Sequence, residues 1–262
     1  MKKIKSQTLL ACVLLVSIAS GAMAASSAVR RGTSILHYQT RNVLETTDAG
    51  SNITGSVSLQ LNEQGHSSMQ KFNLNVGGLV PDADYFLLAA VGEDTNIVYV
   101  STVKANSHGR LALSHMKLGQ GKGKHSVPDA LNPLTDIRGI ELQDASQTQT
   151  VAFAWINTSS NFNYMVKRNL TGEDTNSTAR GSISLIANHD HVNFRLAADG
   201  LGASNTCYLA LNSTIVDTAT TDSHGRILIK NWPSGSPAIL DLRSLAVLDA
   251  VSNVVLTTTL PK

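Results

Sequence analysis

Apolar and polar residues alternate along most of this chain. The pattern is plain in Val57, Leu59 and Leu61, in Phe72, Leu74 and Val76, and in Tyr85, Leu87 and Ala89. It continues in Leu111 and Leu113, and in Val151, Phe153 and Trp155. Later runs are Ile183 and Leu185; Val192, Phe194 and Leu196; Ile227 and Ile229; and Val254 and Leu256. Alternation with period two places the apolar side chains on one face of a strand. The Gly, Asn, Asp and Ser clusters between the runs are turn formers that suit antiparallel connections. No stretch carries a sustained helical period with caps at both ends. The expectation is an all-β protein with strands packed on one face.

The alternating runs belong to a pattern that occurs twice. Ser107-His108-Gly109-Arg110 returns as Ser223-His224-Gly225-Arg226. Arg41-Asn42-Val43 matches Arg168-Asn169-Leu170, and Gly55-Ser56-Val57-Ser58-Leu59 matches Gly181-Ser182-Ile183-Ser184-Leu185. Phe72 falls on Phe194, Tyr85 on Tyr208, and Asp136-Ile137-Arg138 on Asp241-Leu242-Arg243. Matched segments of changing separation are what strands joined by variable loops produce. Each copy is long enough to be a domain. The pattern predicts two tandem antiparallel β-sandwich (immunoglobulin-like) domains, over residues 34–160 and 161–262, related by an internal repeat. The short connection Trp155–Phe162 predicts a semi-rigid pair, each copy burying its own core; one sheet and core shared by both copies would contradict that prediction.

Residues 1–24 read as a signal peptide. Lys2, Lys3 and Lys5 form a positive n-region, Leu9–Ile18 an apolar h-region, and Ala22-Met23-Ala24 a small-x-small cleavage site. The chain is therefore expected to be exported, to a periplasmic, cell-surface or extracellular location, with no membrane span after the leader. The full sequence has 21 Lys and Arg against 19 Asp and Glu, a formal net charge of +2. Losing the three leader lysines brings it to about −1, which argues against nucleic acid as the main partner. Cys207 alone remains after cleavage and cannot form an internal disulfide. Its place in a strand predicts a buried thiol.

Few residues point to chemistry. In the Ser-His-Gly-Arg segments, Asn106 and Asp222 can accept bonds from amides two residues on, and the glycine supplies a positive φ, so each is expected to be a hairpin corner. Lys117–His125 is rich in Gly and Lys, but its glycine spacing and the histidine after Lys124 do not make a phosphate-binding loop. Asp136 with Arg138, and Asp241 with Arg243, are spaced to form local ion pairs. His189-Asp190-His191 has the most metal-like spacing: two histidines two apart on a strand share a face and could hold zinc or copper, given a third ligand from elsewhere. No nucleophile elbow and no repeated pair of carboxylates is present.

Leu170-Thr171-Gly172-Glu173, Ala179-Arg180-Gly181-Ser182-Ile183-Ser184-Leu185, Phe194-Arg195-Leu196 and Gly200-Leu201 together resemble the opening half of a CHRD-type domain. They also resemble uncharacterised duplicated domains of exported bacterial proteins. The chain departs from CHRD at Tyr85-Phe86-Leu87-Leu88 and Cys207-Tyr208-Leu209-Ala210, where that family carries an Ala-His-Ile-His run. The resemblance implies an exported β-domain and no established activity. The functional expectation is a non-enzymatic structural or binding module without cofactor, with an envelope or extracellular component as partner. The alternative is a metal-binding protein or metal-dependent hydrolase using His189 and His191.

Overall fold

The structure is a computed structural model that describes residues 34–48, 51–118, 126–156, 161–173, 177–189 and 191–260. The leader and most of the Lys117–His125 segment lie outside them. Among the described residues sixteen strands follow one another: β1 Ile35–Val43, β2 Thr54–Gln64, β3 Ser67–Gly77, β4 Asp84–Val91, β5 Asn96–Lys104, β6 Leu111–Leu118, β7 Ile137–Asp144 and β8 Thr150–Trp155. Then come β9 Asn163–Gly172, β10 Arg180–Asn188, β11 His191–Asp199, β12 Thr206–Leu211, β13 Thr214–Thr220, β14 Ile227–Ile229, β15 Ser244–Leu248 and β16 Val254–Thr259. The described residues contain short 3-10 turns, such as Leu134–Asp136 and Ile239–Asp241, but no α-helix. The protein is all-β, and every strand pair is antiparallel. No helix of the described residues is long and apolar enough to cross a membrane.

One sheet runs through both halves of the chain, in the order β14-β11-β10-β9-β1-β2-β3-β6. The four strands β5-β4-β7-β8 form a second sheet, and β13-β12-β15-β16 form a corresponding row whose last strand also meets the end of β9. The seam between halves is the β1–β9 ladder, with Leu36 opposite Val166 and Tyr38 opposite Tyr164. Across it the Tyr38 and Phe162 rings meet edge to face at 6.1 Å, and the buried apolar residues of the two halves form a single cluster. This corrects the expectation that each copy closes its own sheets and core, joined only by a short connection. Both β1 and β9 are apolar on one face, so pairing them edge to edge satisfies their backbone groups and extends the buried face in one step.

The ladders also correct two of the sequence matches by one residue. Leu44 donates to Gly55 O, and Leu170 stands opposite the matching Gly181, so Leu44 rather than Val43 is the counterpart of Leu170. In β4 and β12 the register irregularities fall after Leu87 and Leu209. Cys207 therefore takes the place of Tyr85, and both are buried. Burial pushes the Cys207 thiol pKa up, with Asp249 adding to the effect.

The repeated Asx reading holds while its setting changes. Asn106 Oδ1 accepts from the amides of His108 and Arg110, both at 2.9 Å, and Asp222 Oδ1 accepts from those of His224 and Arg226 at 2.8 and 3.0 Å. Gly109 and Gly225 have φ of 66° and 71°. These segments are not hairpin corners, however. Each carries the chain from one sheet to the other, from β5 to β6 and from β13 to β14.

The aspartate and arginine pairs are likewise not local. Arg138 Nη2 bonds Asp241 Oδ1 at 2.5 Å, and Arg243 Nη2 bonds Asp136 Oδ1 at 2.7 Å. Each half gives its arginine to the other half's aspartate. Arg138 also donates to Leu240 O at 3.0 Å and Arg243 to the same oxygen at 2.6 Å.

Candidate functional site

Strand β8 reverses the expected phase. Its sequence, Thr-Val-Ala-Phe-Ala-Trp, is apolar on both faces, and bulk selects Val151, Phe153 and Trp155 as the core side. In the structure Ala152 and Ala154 are buried, while Phe153 and Trp155 stand on the outer face. The inner face presents the two alanines to a core that is otherwise filled by large residues such as Leu59, Phe72 and Leu74.

The outward aromatics are organised by the ladders into rows that cross all four strands. One row reads Ile97, Ala90, Gly139, Trp155 from β5 to β8. The next reads Tyr99, Leu88, Glu141, Phe153. Two small residues between two large ones leave a trough, a cavity of about 310 Å3 floored by Ala90 and Gly139 and walled by Ile97, Phe153 and Trp155. Trp155 lies close over Gly139, since a Cβ there would come 3.1 Å from the indole ring. Covering a strand glycine with a cross-strand aromatic is one way a sheet compensates for the missing side chain. That role leaves the outer side of the indole open: Ile97, Tyr99 and Trp155 are 57%, 55% and 53% exposed. Phe86 packs against Tyr99 with ring centroids 6.0 Å apart and extends the apolar area along the face.

Polar groups border the trough at one end. Glu141 Oε1 accepts from Gln143 Nε2 at 2.8 Å and from Thr150 Oγ1, which holds the carboxylate in place. Thr47 Oγ1 donates to Thr150 O at 2.5 Å. The arrangement offers a flat aromatic surface beside a fixed acceptor and neighbouring hydroxyls. It has the mixed character of small-ligand sites, apolar walls with a few placed polar groups.

His189 and His191 do not share a strand face. His189 sits in the two-residue turn between β10 and β11 with φ of 39°, and His191 opens β11 opposite Asn188. Asp190 lies outside the described residues. His191 borders a shallow depression that also contains Lys230, whose ammonium disfavours a cation. Among the described residues no group of three or more His, Cys, Asp or Glu side chains is placed to hold a metal ion.

Sequence reasoning missed Trp155, Phe153 and Ile97 as surface residues because period two alone cannot choose between two apolar faces. A signal existed in the other half. The strand corresponding to β8 is β16, which reads Val-Val-Leu-Thr-Thr-Thr and has threonines where a core would need apolar side chains. No protein-family model matches this chain, and no curated protein sequence matches it either.

Proposed function

We propose that the protein is an exported, non-enzymatic binding module that seats a neutral polysaccharide of the cell envelope or its surroundings on the outer face of β5-β4-β7-β8. We further infer that the chain arose by duplication of one sheet-on-sheet, immunoglobulin-like unit and that its halves are fused at the β1–β9 edge.

The observation that carries the reading is the large-small-small-large row Ile97-Ala90-Gly139-Trp155. It forms a trough with an exposed indole wall, next to a carboxylate already fixed by two donors. A pyranose ring presents an apolar C–H face and a hydroxyl edge, and this surface offers a partner for each. Burial against the aromatic wall supplies affinity, while the acceptor at Glu141 orients the hydroxyls. The negative charge of Glu141 favours a neutral chain over an acidic one. The metal reading of His189 and His191 gains no support from the geometry of the β10–β11 turn.

Titrating the chain lacking residues 1–24 with soluble neutral glucans, mannans and chitin oligosaccharides tests this, with indole fluorescence as the readout for the native chain and titration calorimetry for the native chain and every variant. The expected result is a saturable change with at least one of them that disappears in Trp155→Thr. The other tryptophan, Trp232, packs at 5.4 Å on Phe194 and is a poor reporter of surface binding. Binding that survives Trp155→Thr with Phe153→Thr, or no binding to any neutral glycan, sinks the proposal.

A further inference from the structure

The opposite surface of the molecule, the outer face of the eight-stranded sheet, has a different composition. Alternation from the buried positions assigns its outward residues strand by strand. On β1, β2, β3, β9, β10 and β11 these positions are dominated by Ser, Asn and Gln. They carry a single carboxylate, Asp199, at the far margin, where it is paired with Arg180 at 2.8 Å. Arg41, Lys71, Lys167 and Arg195 also point outward, and none of the four is in an ion pair among the described residues. The acids of this region are turned elsewhere: Glu63 lies on the inward phase of β2, bonded to Arg168 at 3.1 Å.

The cations are spread across both halves. Lys167 and Arg195 both stand opposite Ser184 on its two sides, which puts them two strands apart, about 10 Å. Arg41 occupies the matching place in the first half, in the row Arg41, Ser58, Asn73, Ser114. In that row Asn73 Nδ2 donates to Ser58 Oγ at 3.2 Å and Asn73 Oδ1 accepts from Ser114 Oγ at 2.8 Å, so the polar groups beside the cations are held in register. Because the sheet is continuous through the seam, the face is one rigid surface and not two.

We propose that this face binds an acidic polysaccharide, a carboxylated or sulfated glycan lying across the seam. The inference goes beyond the neutral-glycan trough and rests on another face. Charge complementarity selects a polyanion: four unpaired cations on a surface nearly free of carboxylate create a local positive field on a chain of almost no net charge. The fixed hydroxyls and amides between them suit a hydroxyl-rich polymer. The outward positions of these strands carry no Phe, Tyr or Trp, the rings on which single-stranded nucleic acids chiefly stack; their only rings are the imidazoles of His37 and His191 at the margins.

The chain lacking residues 1–24 is to be measured against dextran sulfate, polygalacturonate and neutral dextran at low and high salt. Both acidic polymers should bind, neutral dextran should not, and affinity should fall with salt. Arg41→Gln, Lys71→Gln, Lys167→Gln and Arg195→Gln combined should weaken binding at least tenfold and flatten the salt dependence. Removing Lys104, an exposed basic residue of β5 in the other sheet, should change little. Trp155→Thr should leave polyanion binding intact, which separates this inference from the trough. Should the fourfold variant fold poorly, the two pairs Arg41/Lys71 and Lys167/Arg195 changed separately should each give a partial loss. Undiminished binding in these variants overturns the proposal. So does tighter binding to single-stranded DNA or phosphatidylglycerol vesicles than to either acidic polymer.

Discussion

The outer face of β5-β4-β7-β8 and that of β13-β12-β15-β16 share an order of antiparallel strands and carry different surfaces. Where the first half sets Ala90, Gly139 and Trp155 in a row, the ladder of the second half sets Asn212, Ser244 and Thr259. Where the first has Tyr99, Leu88, Glu141 and Phe153, the second has Ile215, Ala210, Ala246 and Thr257. Threonine is an ordinary residue for the solvent side of a strand. Apart from Ile215, the second half has small or polar residues at these places, so the strand order does not require aromatics there. The aromatic surface of the first half is an addition to the scaffold, which is why it is read as a site.

The comparison can be broken most severely at the inter-sheet turns. A Cβ at Gly109 would run into the Leu79 carbonyl oxygen at a positive φ, whereas at Gly225 the nearest atom would be Gly202 N at 2.9 Å. Gly109→Ala should cost about 3 kcal/mol or more and Gly225→Ala clearly less, by urea melts of both. Equal losses would mean that the two turns are packed alike.

Next come the exchanged ion pairs, which are common to both halves and should respond alike. Arg138→Ala strands the Asp241 carboxylate and removes a bond to Leu240 O, and Arg243→Ala does the same to Asp136. Each should cost about 2 kcal/mol, less than a fully buried pair because both partners keep some solvent contact. A double-mutant cycle on Arg138 and Asp241 should return a coupling of about 1 kcal/mol.

Changing the first face into the second sharpens the contrast directly. Phe153→Thr with Trp155→Thr should lower stability by no more than about 1–2 kcal/mol. The same change should remove glycan binding by at least tenfold, about 1.4 kcal/mol. A larger loss of stability without loss of binding would return these aromatics to a structural role.

The smallest effects lie at the seam tyrosines. Tyr38 Oη is buried with no hydrogen-bond partner among the described residues, so Tyr38→Phe should be neutral or stabilising by up to about 1 kcal/mol. Burial raises both phenol pKa values, Tyr164 to about 12, against the opposing charges of Arg138 on Tyr38 and Arg243 and Arg168 on Tyr164. The unfolded chain therefore releases these protons first. The tyrosines' contribution to stability should be constant below pH 10 and fall between pH 10 and about 12, and Tyr164→Phe should blunt that fall in a pH series of thermal melts.

Much of the frame was legible in the chain. Val57, Leu59 and Leu61 are apolar at alternate positions with polar neighbours, so only one face can be buried, and it is. The Asx contacts of Asn106 and Asp222 were readable because a side-chain oxygen two residues before an amide is a local relation. The seam was not readable, since β1 and β9 join through backbone groups that every residue possesses. Nor were the exchanged ion pairs: Asp136 and Arg138 satisfy a local pairing on paper, and only the approach of the 3-10 turn Ile239–Asp241 from the other half redirects them. The trough needed two things at once, the burial phase of β8 and the partners of Gly139 across the sheet.

Under the proposed duplication β1 and β9 are equivalent strands, and their antiparallel pairing has a consequence for assembly. Such a contact is isologous, the kind by which two copies of one unit close around a two-fold axis without leaving a free end. A single unit with β1 unpaired would carry an open edge of nine residues, a hazard for uncontrolled association. Joining two units in one chain makes that closure intramolecular, so it no longer depends on protein concentration.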